Sequence, residues 1–222
     1  MYFAHFFVFL PKINLSTTAR MKKLILILLM APLAVWGQSL KTTGTSAEEM
    51  IPEGWTCQSA YGDMNKDGVR DMALIAFPPE KESYPLLAVY WGEAGGRYRL
   101  WRQYPEALLP GDEYAIHDYT IEITDKGVMK ISVNIFMTAG GWGNSDYTYL
   151  FRFQQGDFFL IGEDSESMAR NTGDAEKVSI NYLTHKKQVL EYNVMEDSKK
   201  KPRERWSRIP KEPLKSLSDW RM

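Results

Sequence analysis

The sequence predicts a mainly β fold of antiparallel meander sheets, with at most one or two short helices. Three observations carry this reading. Ten short runs rich in Val, Ile, Leu, Tyr and Phe recur between Trp55 and Val194. Several alternate apolar with polar residues, as half-buried strands do. The connectors between them are short and hold Gly, Asp or Asn, the chemistry of hairpin turns.

The elements follow in chain order. Residues 1–37 are read as a leader. Lys22 and Lys23 precede an apolar run, Leu24 to Trp36. About 13 residues suit the core of a secretory signal and fall short of the ~20 a membrane-spanning helix needs. Val35 and Gly37 place small residues for cleavage before Gln38. Met21 opens a complete signal, so residues 1–20 are expected to be an over-extended gene start. No cysteine directly follows the apolar run, which disfavours a lipoprotein. The address is therefore exported, periplasmic or secreted, with no membrane span in the mature chain.

Residues 38–52 are polar and are expected to form a loose lead-in. Residues 53–222 form one β-rich domain. Its first four runs, "WTCQSAY", "MALIAF", "LLAVYWG" and "YRLWRQY", have the length and spacing of a propeller-type blade. The remainder is sandwich- or barrel-like. In "YTYLFRFQ", Tyr147, Tyr149, Phe151 and Phe153 share one face, and Thr148, Leu150, Arg152 and Gln154 the other. Hairpins are predicted at "EAGGR", "TDKGV", "QQGD" and "THKK". Helical turns are allowed only in "PEALLPGDEYAIHDY" and "EPLKSLSDW".

Composition narrows the function. The first 37 residues hold four basic side chains and no acid, so the remainder carries a net charge of about −5. Such a surface is not built to neutralise nucleic-acid phosphates. Cys57 is the only cysteine, so no internal disulfide forms.

The densest chemical signal is "GDMNKDGVRD", residues 62–71. Carboxylates so close together repel unless something positive sits among them. Calcium takes six to eight oxygens in flexible geometry, and loop ligands at positions 1, 3, 5, 7 and 9 with a glycine at 6 suit it. Asp63, Asn65, Asp67, Val69 (through its carbonyl) and Asp71 fill those positions, and Gly68 is the glycine. Position 12 is Leu74, where an EF-hand requires Glu, and the flanks read as strands, not helices. The stretch thus resembles the calcium loops of the FG-GAP and VCBS type, found in integrin-like propellers and secreted bacterial proteins. That resemblance implies a structural calcium ion in a hairpin. The order from "IPEGWT" through "NYLTHKK" also resembles uncharacterised exported proteins of Gram-negative bacteria, notably Bacteroidetes, which implies an extracytoplasmic address and no activity.

Two further groups are candidates. "TAGGWGNSDY" puts Trp142 on a Gly-rich loop, followed by Asn144 and Asp146, a seat for a protein or glycan ligand through stacking and polar contacts. The opposing expectation is that Trp142 folds back onto the sheet. His117, with Asp112, Glu113 and Asp118 nearby, is the centre of an alternative reading as a small envelope hydrolase. No nucleophile elbow and no H-E-x-x-H zinc motif occurs, and no catalytic residue is assigned. "EDSESM" is expected to be a solvated acidic loop. The basic "DSKKKPRERWSRIPKEPLK" is expected to be loop and edge strand. The expected function is an exported calcium-binding interaction module; a purely structural envelope protein is the third possibility.

Overall fold

The computed structural model describes residues 39–196 and 201–222. The segment read as a signal, residues 1–37, lies outside them. Residues Leu40–Met222 form one compact unit. It is mainly β, with a single four-residue helix among the described residues.

Two antiparallel sheets make up the unit. The smaller contains β1 (Thr43–Gly44), β2 (Thr56–Gly62), β3 (Asp71–Phe77), β4 (Leu86–Glu93) and β5 (Arg97–Tyr104), in the order β1-β5-β4-β3-β2. The larger contains β6 (Ala115–Ile123), β7 (Val128–Met137), β8 (Gly143–Gln154), β9 (Asp157–Ala169), β10 (Asp174–Asn181), β11 (Lys186–Asn193) and β12 (Arg203–Arg208). These seven run as one uninterrupted meander, β6 to β12. Every predicted hairpin forms: β4–β5, β6–β7, β8–β9 and β10–β11 pair across the four turns named above.

The main core lies between the sheets. Ala73, Ile75, Leu87 and Val89 of the smaller sheet face Ile131, Val133, Phe151, Phe158 and Leu160 of the larger. Tyr147, Tyr149 and Phe153 pack on the same core, as the alternation of β8 predicts. Trp91 and Trp101 meet Phe153 and Phe158, the two indole centroids 4.8 Å apart.

Three expectations are corrected. The lead-in is not loose. Ser46 caps a short helix, α1 (Ala47–Met50), accepting a bond from the Glu49 amide at 3.4 Å, while Glu49 reaches back to the Thr45 amide at 2.7 Å. Leu40, Ala47 and Met50 are buried on the far face of the smaller sheet, against Met72, Leu74, Ala76, Ala88 and Tyr90. This is why "MALIAF" does not alternate: β3 is covered on both faces, and doubly buried strands read as continuous apolar runs. "EDSESM" is not a loop. It continues β9, where Glu163 to Met168 pair with β8 and β10. The two permitted helical turns do not form. Residues 105–114 are an irregular connector that buries Ala107 and Leu108, and the C-terminal stretch is irregular, with one tight turn closed by the Asp219 amide on the Ser216 carbonyl at 3.1 Å. The latter makes one bridge, Phe159 to Ser216, and inserts Leu217 and Trp220 into the main core.

Asp157, the first residue of β9, ties these parts together. Its carboxylate accepts bonds from the Ser216 hydroxyl at 2.7 Å and the Ser218 hydroxyl at 3.0 Å, and pairs with Arg102 of β5 at 3.1 Å. Burial alone would raise its pKa. The Ser216 hydroxyl, the Phe158 amide, the Ser218 hydroxyl and the Arg102 charge together hold it below the usual carboxylate range.

Candidate metal loop and ligand cleft

The acidic turn joins β2 to β3. Its side chains fold onto its own backbone in successive Asx turns. Asp63 accepts from the Lys66 amide at 2.7 Å through Oδ1 and from the Gly68 amide at 3.1 Å through Oδ2. Asn65 Oδ1 accepts from the Asp67 amide at 2.9 Å, and Asp67 Oδ1 from the Val69 amide at 2.8 Å. Asn65 Nδ2 donates to Asp67 Oδ2 at 2.9 Å. Two positions wind left-handed, Lys66 at φ 68° and Gly68 at φ 85°. Glycine suits the second because it has no Cβ to clash there.

Asp71 behaves differently. It is fully buried. Its Oδ2 accepts from the Met64 amide at 2.9 Å and the Asn65 amide at 3.4 Å, and its Oδ1 from the Gly92 amide of β4 at 3.0 Å. Burial pushes its pKa up, against the pull of these three amides. Asp71 thus spans the base of the turn and ties it to β4. Asp63, Asn65 and Asp67 stay at the solvent side. The backbone N–H groups therefore answer much of the question posed by so many clustered carboxylates.

The turn also leans on the larger sheet. A Cβ at Gly127 in the β6–β7 turn would lie 2.3 Å from the Asp63 carbonyl oxygen, and Gly127 has φ 70°. Only glycine meets both demands.

The donor set is all oxygen, which suits a hard cation. A carboxylate offers about four lone-pair sites and an amide oxygen two, so one or two bonds to backbone N–H groups leave acceptor capacity on Asp63, Asn65 and Asp67. Val69, half-buried in the same turn, has a carbonyl oxygen to offer as well. Asp71, turned inward, serves as a brace. Among the described residues, no three His, Cys, Asp or Glu side chains gather as a metal-holding group. Asn65 and the carbonyl fall outside such a count, and Asp71 points away.

Trp142 stands immediately before β8 and is 63% exposed. It does not fold back onto the sheet. Arg170 anchors its backbone: the Arg170 amide and Nε both donate to the Trp142 carbonyl, at 2.9 and 3.2 Å. The guanidinium also donates to the Met137 carbonyl at 2.7 Å and lies 4.1 Å over the Phe136 ring. The indole borders an open cleft of about 630 Å³, lined also by Ser167, Asn171, Asp174, Glu176 and Tyr192. Asn144 and Asp146 do not join it. Both accept bonds from the Asn134 amide group, at 3.0 and 2.8 Å. Sequence reading found the indole and missed its surroundings. Arg170, Asp174 and Glu176 lie far along the chain, and only strand pairing brings them to Trp142.

His117, on β6, lines a separate cleft of about 620 Å³ together with Asp112 and Glu113. Its Nδ1 is buried without a hydrogen-bond partner. Asp112 is engaged with the Tyr114 amide at 2.7 Å. A catalytic imidazole needs an acid to fix its tautomer, and that bond is not made here. Asp118 pairs across from Asn134 and points to the opposite face of β6 from His117. Cys57 sits at the margin of the second core cluster, where burial raises its thiol pKa, the reverse of an activated nucleophile. No helix among the described residues is long and apolar enough to cross a membrane. No family model, curated protein or solved structure matches this chain.

Proposed function

We propose that this protein is an exported, calcium-stabilised β-domain that works as an interaction module, with its ligand seat at the Trp142 cleft. One observation carries the reading. A large aromatic ring is held out in solvent on an anchored backbone, beside a cleft of carboxylate, amide and hydroxyl groups. Exposing a tryptophan costs the burial it forgoes, and anchored aromatic rings beside polar groups are the usual hot spots of recognition. A protein or glycan ligand fits that chemistry.

Asp63, Asn65, Asp67 and the Val69 carbonyl would hold the ion, with Asp71 bracing the loop from beneath. Calcium would neutralise the carboxylates of a turn that links three neighbouring strands. It would fix the loop and take no part in a reaction. Extracytoplasmic calcium sites work at a Kd of about 10⁻⁴–10⁻³ M.

The test is thermal melting in EDTA, then with calcium or magnesium, beside Asp67→Ala. With calcium at ~100 times its Kd, linkage predicts about 2.7 kcal/mol, or roughly 5–10 °C in Tm for a domain of this size. The rise should be calcium-selective and absent in the variant. Equal melting in EDTA and calcium would reduce the loop to an ordinary Asx-rich hairpin. For the cleft, Trp142→Ala should abolish ligand capture while leaving the melt unchanged; capture that survives would move the seat elsewhere.

A further inference from the structure

Strand β12, "RERWSR", closes the larger sheet, and all six of its residues are exposed. Its inner edge pairs with β11, Trp206 opposite Gln188. The Ile209 amide donates to the His185 carbonyl at 3.1 Å in the same register. Hydrogen-bonded pairs alternate along an antiparallel ladder. Ser207, Arg205 and Arg203 therefore bond to β11, and the N–H and C=O groups of Glu204, Trp206 and Arg208 point outward. Among the described residues nothing pairs with them.

Such an edge is normally blunted by charge. Here the charge pattern is self-complementary. Consider β12 laid antiparallel on β12 of a second copy, with the two-fold axis at Trp206. Glu204 then lies opposite Arg208 of the other copy, twice over, and Trp206 opposite Trp206. Each of these three pairs joins two outward-facing residues, so each exchanges two backbone bonds. Arg205 falls opposite Ser207 and Arg203 opposite Ile209, so no like charges meet. Pro202 and Pro210 flank the strand symmetrically about Trp206, and in this register they meet at the ladder's ends.

The other registers that bring outward residues together fail. Slipping one way sets Arg205 against Arg205, or Glu204 against Glu204. Slipping the other way sets Glu204 against Pro210, which has no N–H to give, or Arg208 against Arg208. Local partners agree with the favoured choice. Arg208 makes no ion pair among the described residues and lies beside Lys186. Among the described residues Glu204 bonds only through Oε1, accepting from Gln188 at 2.7 Å and Trp206 Nε1 at 2.6 Å, which leaves Oε2 for a partner. The 61% exposed Trp206 indole gains its twin as a cross-strand neighbour.

We infer that β12 is a homodimerisation strand that joins the larger sheets of two copies edge to edge about a two-fold axis at Trp206. The test is sedimentation of the full chain, as processed by its host, across concentrations up to near-millimolar. Wild type should show a monomer–dimer equilibrium. Arg208→Glu sets like charges opposite each other twice and should raise the dimer Kd at least about tenfold. The double variant Glu204→Arg/Arg208→Glu restores opposite charges and should recover the dimer. Equal melting temperatures would show that the monomer is intact in each. The amides of Glu204, Trp206 and Arg208 should exchange with solvent more slowly as concentration rises. A chain monomeric at every concentration, a dimer indifferent to Arg208→Glu, or a double variant that stays dissociated would each overturn the proposal.

Discussion

Asp71→Ala is the sharpest test of how the acidic turn is held. The side chain is fully buried and accepts three backbone N–H groups. The bond from the half-buried Asn65, at 3.4 Å, is weak. The Met64 and Gly92 amides, at 2.9 and 3.0 Å, lose the carboxylate they donate to. Each stranded donor costs about 1–3 kcal/mol. The desolvation penalty that raises the Asp71 pKa disappears with the charge and offsets part of this. A net loss of about 3 kcal/mol follows, or roughly 6–12 °C in Tm for a domain of this size. Asp71→Asn keeps the shape and one acceptor oxygen, so it should fall between Ala and wild type. Urea unfolding followed by tryptophan fluorescence measures all three. The sign of the pH dependence is also set. A carboxyl whose folded pKa is raised binds protons more tightly when folded, so its contribution improves as pH falls from the raised value towards the unfolded value of about 3.9. Asp71→Asn lacks that contribution, and its deficit should widen on acidification. An Asp71→Ala protein within about 0.5 kcal/mol of wild type would refute the account of Asp71 as the pin of the turn.

Two further outcomes are expected. Asp157 has a lowered pKa, so its stabilising contribution is present above the unfolded value and is lost as pH falls through the folded one. Asp157→Ala should remove about 2–4 kcal/mol, flatten that acid limb of the stability profile, and expose the C-terminal segment to limited proteolysis. Met50→Ala should cost about 2–5 kcal/mol, measured by denaturant unfolding; a neutral result would mean that α1 contributes nothing to the core.

The strand content was legible because period-two alternation and turn chemistry are local. "YTYLFRFQ" declares its inner face without help from any other residue, and the Gly and Asp of "TDKGV" announce a hairpin. What could not be read depends on distant partners. The start of β6 at Ala115 lies five residues before the run "TIEITD", because pairing with β7 extends it through His117 and Asp118. The acidic run Glu163–Met168 looks like a solvated loop until the neighbouring strands recruit it. The α1 cap was readable, since Ser46 and Glu49 form a capping-box pair, yet polar flanks concealed the three apolar residues that seat it. At the candidate site, the spacing of Asp63, Asn65 and Asp67 was visible. The inward turn of Asp71 was not, because its partner amide on Gly92 lies 21 positions away.

The placement of Leu217 and Trp220 in the main core bears on the order of events during synthesis. Vectorial production delivers the seven-stranded meander before the residues that fill its interior. Until those arrive, Tyr149 and Phe151 lack the indole they will pack against, at 4.8 and 5.1 Å between ring centroids. Asp157 likewise waits for Ser216 and Ser218. A nascent chain is thus kept short of its final cohesion until residues 216–220 emerge. If the chain is exported, as proposed above, delayed locking of this kind would prolong the interval in which it can still be threaded.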